Sequence, residues 1–319
     1  MLSFWTILSA TAPVFLIIGL GFFMNRRELL GESLEVGVMR LALNLFIPCL
    51  ILTVIPGNPS LEKISSAVWS IGAGFMVVIT GFAISALVGW MVRLKKGDGL
   101  RTFTIGTGIQ NYGYLPIPII AELFSEKSGP MGLVFVHGIG VEMAMWSVGL
   151  FILTQKSGWR SMVNGPFVAV TVALLLNYTQ LYRFIPQPVI TSMEMLGRCS
   201  IPLSIFMVGA TMGGFFKRDV IVDALRVSLA SVTARLVILS ALILAGAYFL
   251  PVPHDLKILL VIQAAMPAAV FPIILARIYG GSPAVAIQVV LATSIVSVVT
   301  SPFVISYGLQ LIGVDFSSP

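Results

Sequence analysis

Apolar residues run along this chain in long stretches, separated by short segments where charge, glycine and proline collect. A membrane-spanning helix needs about 20 apolar residues. The pattern predicts ten such helices, at 2–24, 36–55, 66–92, 102–123, 131–153, 166–182, 189–212, 230–250, 257–278 and 284–311. Two of them are interrupted. The fourth reads Gly108-Ile109-Gln110-Asn111-Tyr112-Gly113-Tyr114-Leu115-Pro116-Ile117-Pro118, and the ninth reads Ile262-Gln263-Ala264-Ala265-Met266-Pro267-Ala268-Ala269-Val270-Phe271-Pro272. Proline lacks a backbone N–H and turns the residue before it away from helix. An unsatisfied peptide group in hydrocarbon costs several kcal/mol, so an interrupted helix survives at membrane depth only where protein or a watery cavity satisfies it. Two simple proline kinks would leave the same letters. The matched placement, with Gln110, Asn111 and Gln263 beside the breaks, favours a binding site.

The punctuation repeats. Pro13 and Pro166 lie 153 residues apart, Pro48 and Pro202 lie 154 apart, and Gln110 and Gln263 lie 153 apart. Five helices per half is an odd number, so the halves must insert with opposite orientation, as an inverted repeat. The division falls at residues 1–155 and 156–319. Orientation follows from the basic residues. Alternate loops hold twelve of them, from Arg26 and Arg27 to Arg277, and the remaining loops hold only Lys63, Lys127, Arg183 and Lys257. That asymmetry puts both termini outside. Leu2 to Met24 is too long for a signal-peptide core and has no basic residues before it, so it reads as a retained first helix. Lys217 to Arg226 reads as a short surface helix.

Composition narrows the function. Charged residues make up 10% of the chain, hydrophobic residues 57%, and the mean hydropathy is +1.01. A soluble domain carries about 25% charged residues, so a soluble enzyme is excluded as the leading idea. The net charge of +6 is scattered over loops that set topology and does not point to nucleic acid. Cys49 and Cys199 have no metal-ligand spacing and read as small packing residues. The chain has no phosphate-cradling loop, no hydrolase arrangement and no metal signature, and no cofactor is expected.

Each half-helix that follows a break carries free N–H groups and about half an elementary positive charge at its start. Two such ends meeting at mid-membrane would favour an anion. The lining expected around them is Gln110, Asn111, Tyr112, Gly113, Pro116, Gln263, Met266 and Pro267. Tyr112 and Tyr114 fit packing as well as binding. Ionisable residues inside membrane helices are costly and therefore mark candidate proton carriers. Glu142, in the middle of the fifth helix, is one, with a structural hydrogen bond as the alternative. His137, placed nearer the outer surface, fits an interfacial histidine as well as a relay. Arg198 needs an anion, either Glu194 one turn away or a substrate carboxylate. Asn44 precedes Pro48 much as Arg198 precedes Pro202, which makes it a lining candidate from the other half. Arg40 and Arg235 fall near the ends of their helices, where snorkelling accounts for them.

Several of these segments together resemble the auxin efflux carrier family, with its plant PIN carriers and bacterial malonate and malate permeases. They are Leu45-Phe46-Ile47-Pro48-Cys49-Leu50-Ile51, Asn111-Tyr112-Gly113-Tyr114-Leu115-Pro116, Ile201-Pro202-Leu203-Ser204 with Val208-Gly209-Ala210, and Met266-Pro267-Ala268 with Tyr279-Gly280. The resemblance covers nearly the whole chain. It implies an all-α polytopic membrane protein of ten helices in two inverted five-helix repeats, with helices 4 and 9 crossing at their breaks in the bile-acid-symporter/NhaA-like manner. It implies a scaffold of helices 1, 2, 6 and 7, a transport unit of helices 3–5 and 8–10, alternating access and a homodimer. The second break has no asparagine matching Asn111, and the long central loop of the plant carriers is absent. The function expected is secondary transport of small organic anions across the plasma membrane, carboxylates such as malonate, malate or an auxin-like acid. Proton coupling, sodium coupling as in the bile-acid carriers, and a membrane sensor that binds without transporting stay open.

Overall fold

The computed structural model describes residues 4–94, 97–125, 127–155, 163–215 and 225–314. The chain runs through α1 (Phe4–Arg26), α2 (Glu32–Leu41), α3 (Ile47–Val54), α4 (Ile64–Met91), α5 (Asp98–Gly108), α6 (Pro116–Phe124), α7 (Gly129–Ala144) and α8 (Leu150–Thr154). It continues through α9 (Gly165–Thr179), α10 (Gln187–Phe215), α11 (Leu225–Val232), α12 (Ser240–Phe249), α13 (His254–Ala265), α14 (Phe271–Tyr279) and α15 (Pro283–Leu311). Three wider π-helical turns, Ala42–Phe46, Met145–Gly149 and Thr233–Leu239, join α2 to α3, α7 to α8 and α11 to α12. Such turns displace the helical ladder and are common at functional sites.

Among the described residues, six helical runs are long and apolar enough to cross a membrane: Gly37–Val54, Ile64–Met91, Gly129–Thr154, Gln187–Gly214, Leu225–Phe249 and Pro283–Leu311. Thr11–Arg26 and Gly165–Thr179 are shorter apolar helices. Large apolar side chains such as Leu16, Trp90, Phe249 and Phe303 stand exposed on the outer faces, the arrangement expected where the solvent is lipid. The helix starts are locally encoded. Proline occupies the first turn of α6, α7, α9, α14 and α15, where its missing N–H removes no helical bond. Asn164 caps α9 by accepting from the Phe167 amide at 2.9 Å.

Close helix crossings depend on glycine. A Cβ on Gly21 would strike the Phe206 carbonyl, and one on Gly209 would strike the Ile18 carbonyl, so α1 and α10 meet backbone to backbone. Gly74 and Gly140 do the same for α4 and α7. Small residues at such crossings let membrane helices gain dispersion contact, since lipid supplies no hydrophobic drive between them. Helices α1, α3, α9 and α10 pack mainly on one another; α4 packs on α5 and α7, and α13 packs on α12 and α15.

Two local expectations change, and a third goes untested. The eighth apolar stretch is already helical at Leu225, five residues before its expected start, which moves Arg235 inward. Cys49 is buried as expected, but Cys199 lies on an exposed face of α10. The surface helix expected at Lys217 to Arg226 falls largely on residues 216–224, outside the described residues.

Candidate functional site

Both interruptions occur where the prolines and glycines place them. Helix α5 ends at Gly108 and α6 begins at Pro116; α13 ends at Ala265 and α14 begins at Phe271. The two freed segments run antiparallel and pair through one isolated bridge between Gln110 and Ala268. The Asn111 N–H donates to the Pro267 carbonyl at 2.8 Å, and the Ala269 N–H donates to the Ile109 carbonyl at 2.9 Å. Each break thus satisfies peptide groups of the other, which answers the cost of unwinding at depth.

Side chains complete the accounting. Thr293 Oγ1 accepts from the Ala268 amide at 3.2 Å, and Ser301 Oγ donates to the Ala265 carbonyl at 2.8 Å. Gln263 Nε2 donates to the Tyr112 carbonyl at 3.0 Å, which ties the second half-helix to the first break. Asn111 Oδ1 accepts from the Leu115 amide at 3.3 Å, so its carbonyl is engaged in holding the turn ahead of α6. Other groups are unmatched. Both polar atoms of the Gln110 side chain and Gln263 Oε1 are buried without a hydrogen-bond partner. Most buried polar atoms are paired, so three such atoms beside one crossing stand out. Tyr112, Gly113 and Tyr114 form the partly exposed side of the first break, whereas Pro116, Met266 and Pro267 are buried.

The structure draws Glu142 into the same region. Tyr112 Oη donates to Glu142 Oε1 at 3.3 Å, and Asn164 Nδ2 donates to Glu142 Oε2 at 2.7 Å. Since Asn164 also caps α9, the carboxylate links the first break to the start of the second half of the chain. Asn44 belongs to the π-helical turn beside that same start: a Cβ on Gly165 would come within 3.2 Å of Asn44 Oδ1. Asn44 is exposed, and its Nδ2 donates to the Arg40 carbonyl at 2.9 Å.

Two candidates lie elsewhere. Arg198 is exposed on α10 and lines a small groove with Leu50, Thr53, Val54, Lys127 and Glu194. In that groove Glu194, one turn from Arg198, also pairs with Lys127 at 3.2 Å. His137 is packed inside the protein. It is fully buried in α7, with its carbonyl against Gly74 of α4; the tight glycine crossing closes over it.

One residue was misjudged from sequence. Arg235 does not snorkel: it is fully buried in the π-helical turn Thr233–Leu239. Its Nε donates to the Met266 carbonyl at 3.1 Å and its Nη2 to the Gln263 carbonyl at 3.2 Å. It therefore caps the C-terminal end of α13 at the second break. The run that carries it is already helical at Leu225, so at least about 15 Å of helix precedes Arg235 along the axis. A correct helix start was the missing signal.

A family model described as membrane transport protein matches the chain twice, at residues 6–164 and 153–305. An uncharacterized transporter of Methanothermobacter thermautotrophicus (strain Delta H) is 27% identical over 270 residues, covering 82% of this chain and 85% of that protein.

Proposed function

The chain belongs to the membrane transport protein family of auxin efflux carrier type, and from that premise we propose that it carries small organic anions, carboxylates foremost, by alternating access. The proposed topology is ten spans in two inverted five-helix repeats, residues 1–155 and 156–319, with both termini outside the plasma membrane. The double match of the family model supports a repeat. The mutual packing of α1, α3, α9 and α10 supports a scaffold against which the remaining helices move.

The observation that carries this reading is the exchange of backbone hydrogen bonds between the two breaks. At the start of α6 the Ile117 and Ile119 N–H groups already donate to the Gly113 and Leu115 carbonyls, so the starts of α6 and α14 contribute the partial positive charge of their helix ends, beside the unmatched side-chain nitrogen of Gln110. A carboxylate offers the Gln110 nitrogen strong acceptor oxygens. Glu142 joins this site to Asn164, at the boundary with the scaffold, so movement of one unit against the other would have to remake that link.

Purified protein in liposomes, offered a panel of mono- and dicarboxylates, tests the proposal. At least one member should show saturable flux, and Asn111→Ala should lower its transport efficiency about tenfold, equivalent to ~1.4 kcal/mol, while inserting normally. Absence of flux for the entire panel, or unchanged kinetics in Asn111→Ala, would count against the site.

A further inference from the structure

The end of α13 presents carbonyl groups to the protein interior at the second break. Ser301 takes that of Ala265, and Arg235 takes those of Gln263 and Met266. Exposed carbonyls at the C-terminal end of a half-helix carry partial negative charge, and in interrupted membrane helices they coordinate sodium or a proton. Here a guanidinium occupies that position. Two of its nitrogens are fixed on carbonyls, and the third, Nη1, is buried without a hydrogen-bond partner. Among the described residues no carboxylate forms a salt bridge with Arg235; both oxygens of Glu142 accept from Tyr112 and Asn164 instead. A buried arginine cannot shed its proton, and an uncompensated buried charge is costly unless a counter-charge arrives.

The arrangement is one-sided. The position 153 residues before Arg235 is Phe82. It lies on α4, where Gly81 and Phe82 pack directly against Gly108 at the end of α5. The first break therefore has an apolar neighbour where the second has a fixed cation.

We propose that Arg235 is the resident cation of the crossing: it stands where a coupling metal ion would otherwise bind, and its positive charge is the one that a substrate carboxylate neutralises. This rests on the crossing being the substrate site and adds the source of its charge selectivity. It also makes sodium unnecessary for binding.

The test uses full-length protein, as wild type, Arg235→Lys and Arg235→Met, assayed for carboxylate flux and for stabilisation by carboxylate in thermal melts. Each assay runs in sodium chloride and in choline chloride. Wild type should behave alike in both salts. Arg235→Lys, which keeps the charge, should retain flux within about tenfold, the step that corresponds to 1.4 kcal/mol. Arg235→Met should lose about a hundredfold or more, with sodium restoring part of the carboxylate stabilisation by entering the vacated carbonyls. Sodium-dependent wild-type transport overturns the inference without use of any variant, so it stays testable if Arg235→Met fails to fold. Sodium-independent wild-type flux that Arg235→Met leaves unchanged overturns this inference alone. No carboxylate flux in wild type overturns the parent reading and this one together.

Discussion

Asn164 and Glu142 show how two polar side chains can hold separate parts of a membrane protein in register. Asn164 uses its carbonyl oxygen to cap α9 and its amide nitrogen to bind Glu142, which in turn accepts from Tyr112. Replacing an N-cap asparagine by alanine costs about 1 kcal/mol, and leaving a buried acceptor short of a partner adds about 1–3 kcal/mol. Asn164→Ala should therefore lower the melting temperature by more than Glu142→Gln, which keeps an oxygen for one partner. In a double-mutant cycle the two changes should couple by about 0.5–3 kcal/mol, as residues in one network do; strictly additive melts would mean that the contact is not made. Glu142 was legible from sequence as a carboxylate at depth. Asn164 was not, because its neighbours gave it the look of a loop residue, and only the fold brings it to Glu142.

At the scale of the helix, the crossings of α1 with α10 and of α4 with α7 set the framework, and glycine sets the crossings. Gly21 and Gly209 face the Phe206 and Ile18 carbonyls with no room for a side chain, whereas Gly19, two residues away in α1, has nothing within 4 Å. Gly209→Leu should force the pair apart and destabilise the protein by about 1–3 kcal/mol or more. Gly19→Ala should be neutral or slightly stabilising, because alanine is favoured over glycine in helices by about 1 kcal/mol. Equal melting shifts in the two variants would contradict the backbone contact. The interrupted helices were legible because proline marks them unambiguously. The helix that carries Arg235 is already formed at Leu225, whereas in the sequence Leu225 to Leu229 contains Arg226 and reads as the rim of a loop. That five-residue error turned a buried capping arginine into a snorkelling one. Helical spacing proposes Arg198 beside Glu194, and tertiary contact adds Lys127 to it.

For the whole molecule, the central claim is that two interrupted helices, joined by Asn111 to Pro267 and Ala269 to Ile109, form the place where an organic anion is held. The breaks and their amides could be read from the sequence, because hydropathy and proline placement are local properties. The direction of the pairing, the Thr293 and Ser301 contacts and the position of Arg235 could not, because they join residues far apart in the chain. A rival location exists in the groove of Lys127, Glu194 and Arg198, which also carries basic side chains. The most direct measurement is a structure of the protein bound to the carboxylate that stabilises it most. The account predicts the carboxylate within hydrogen-bonding reach of the breaks at Gln110 to Tyr114 and Met266 to Val270. A carboxylate seated in the Lys127–Arg198 groove, with the breaks unoccupied, would contradict it.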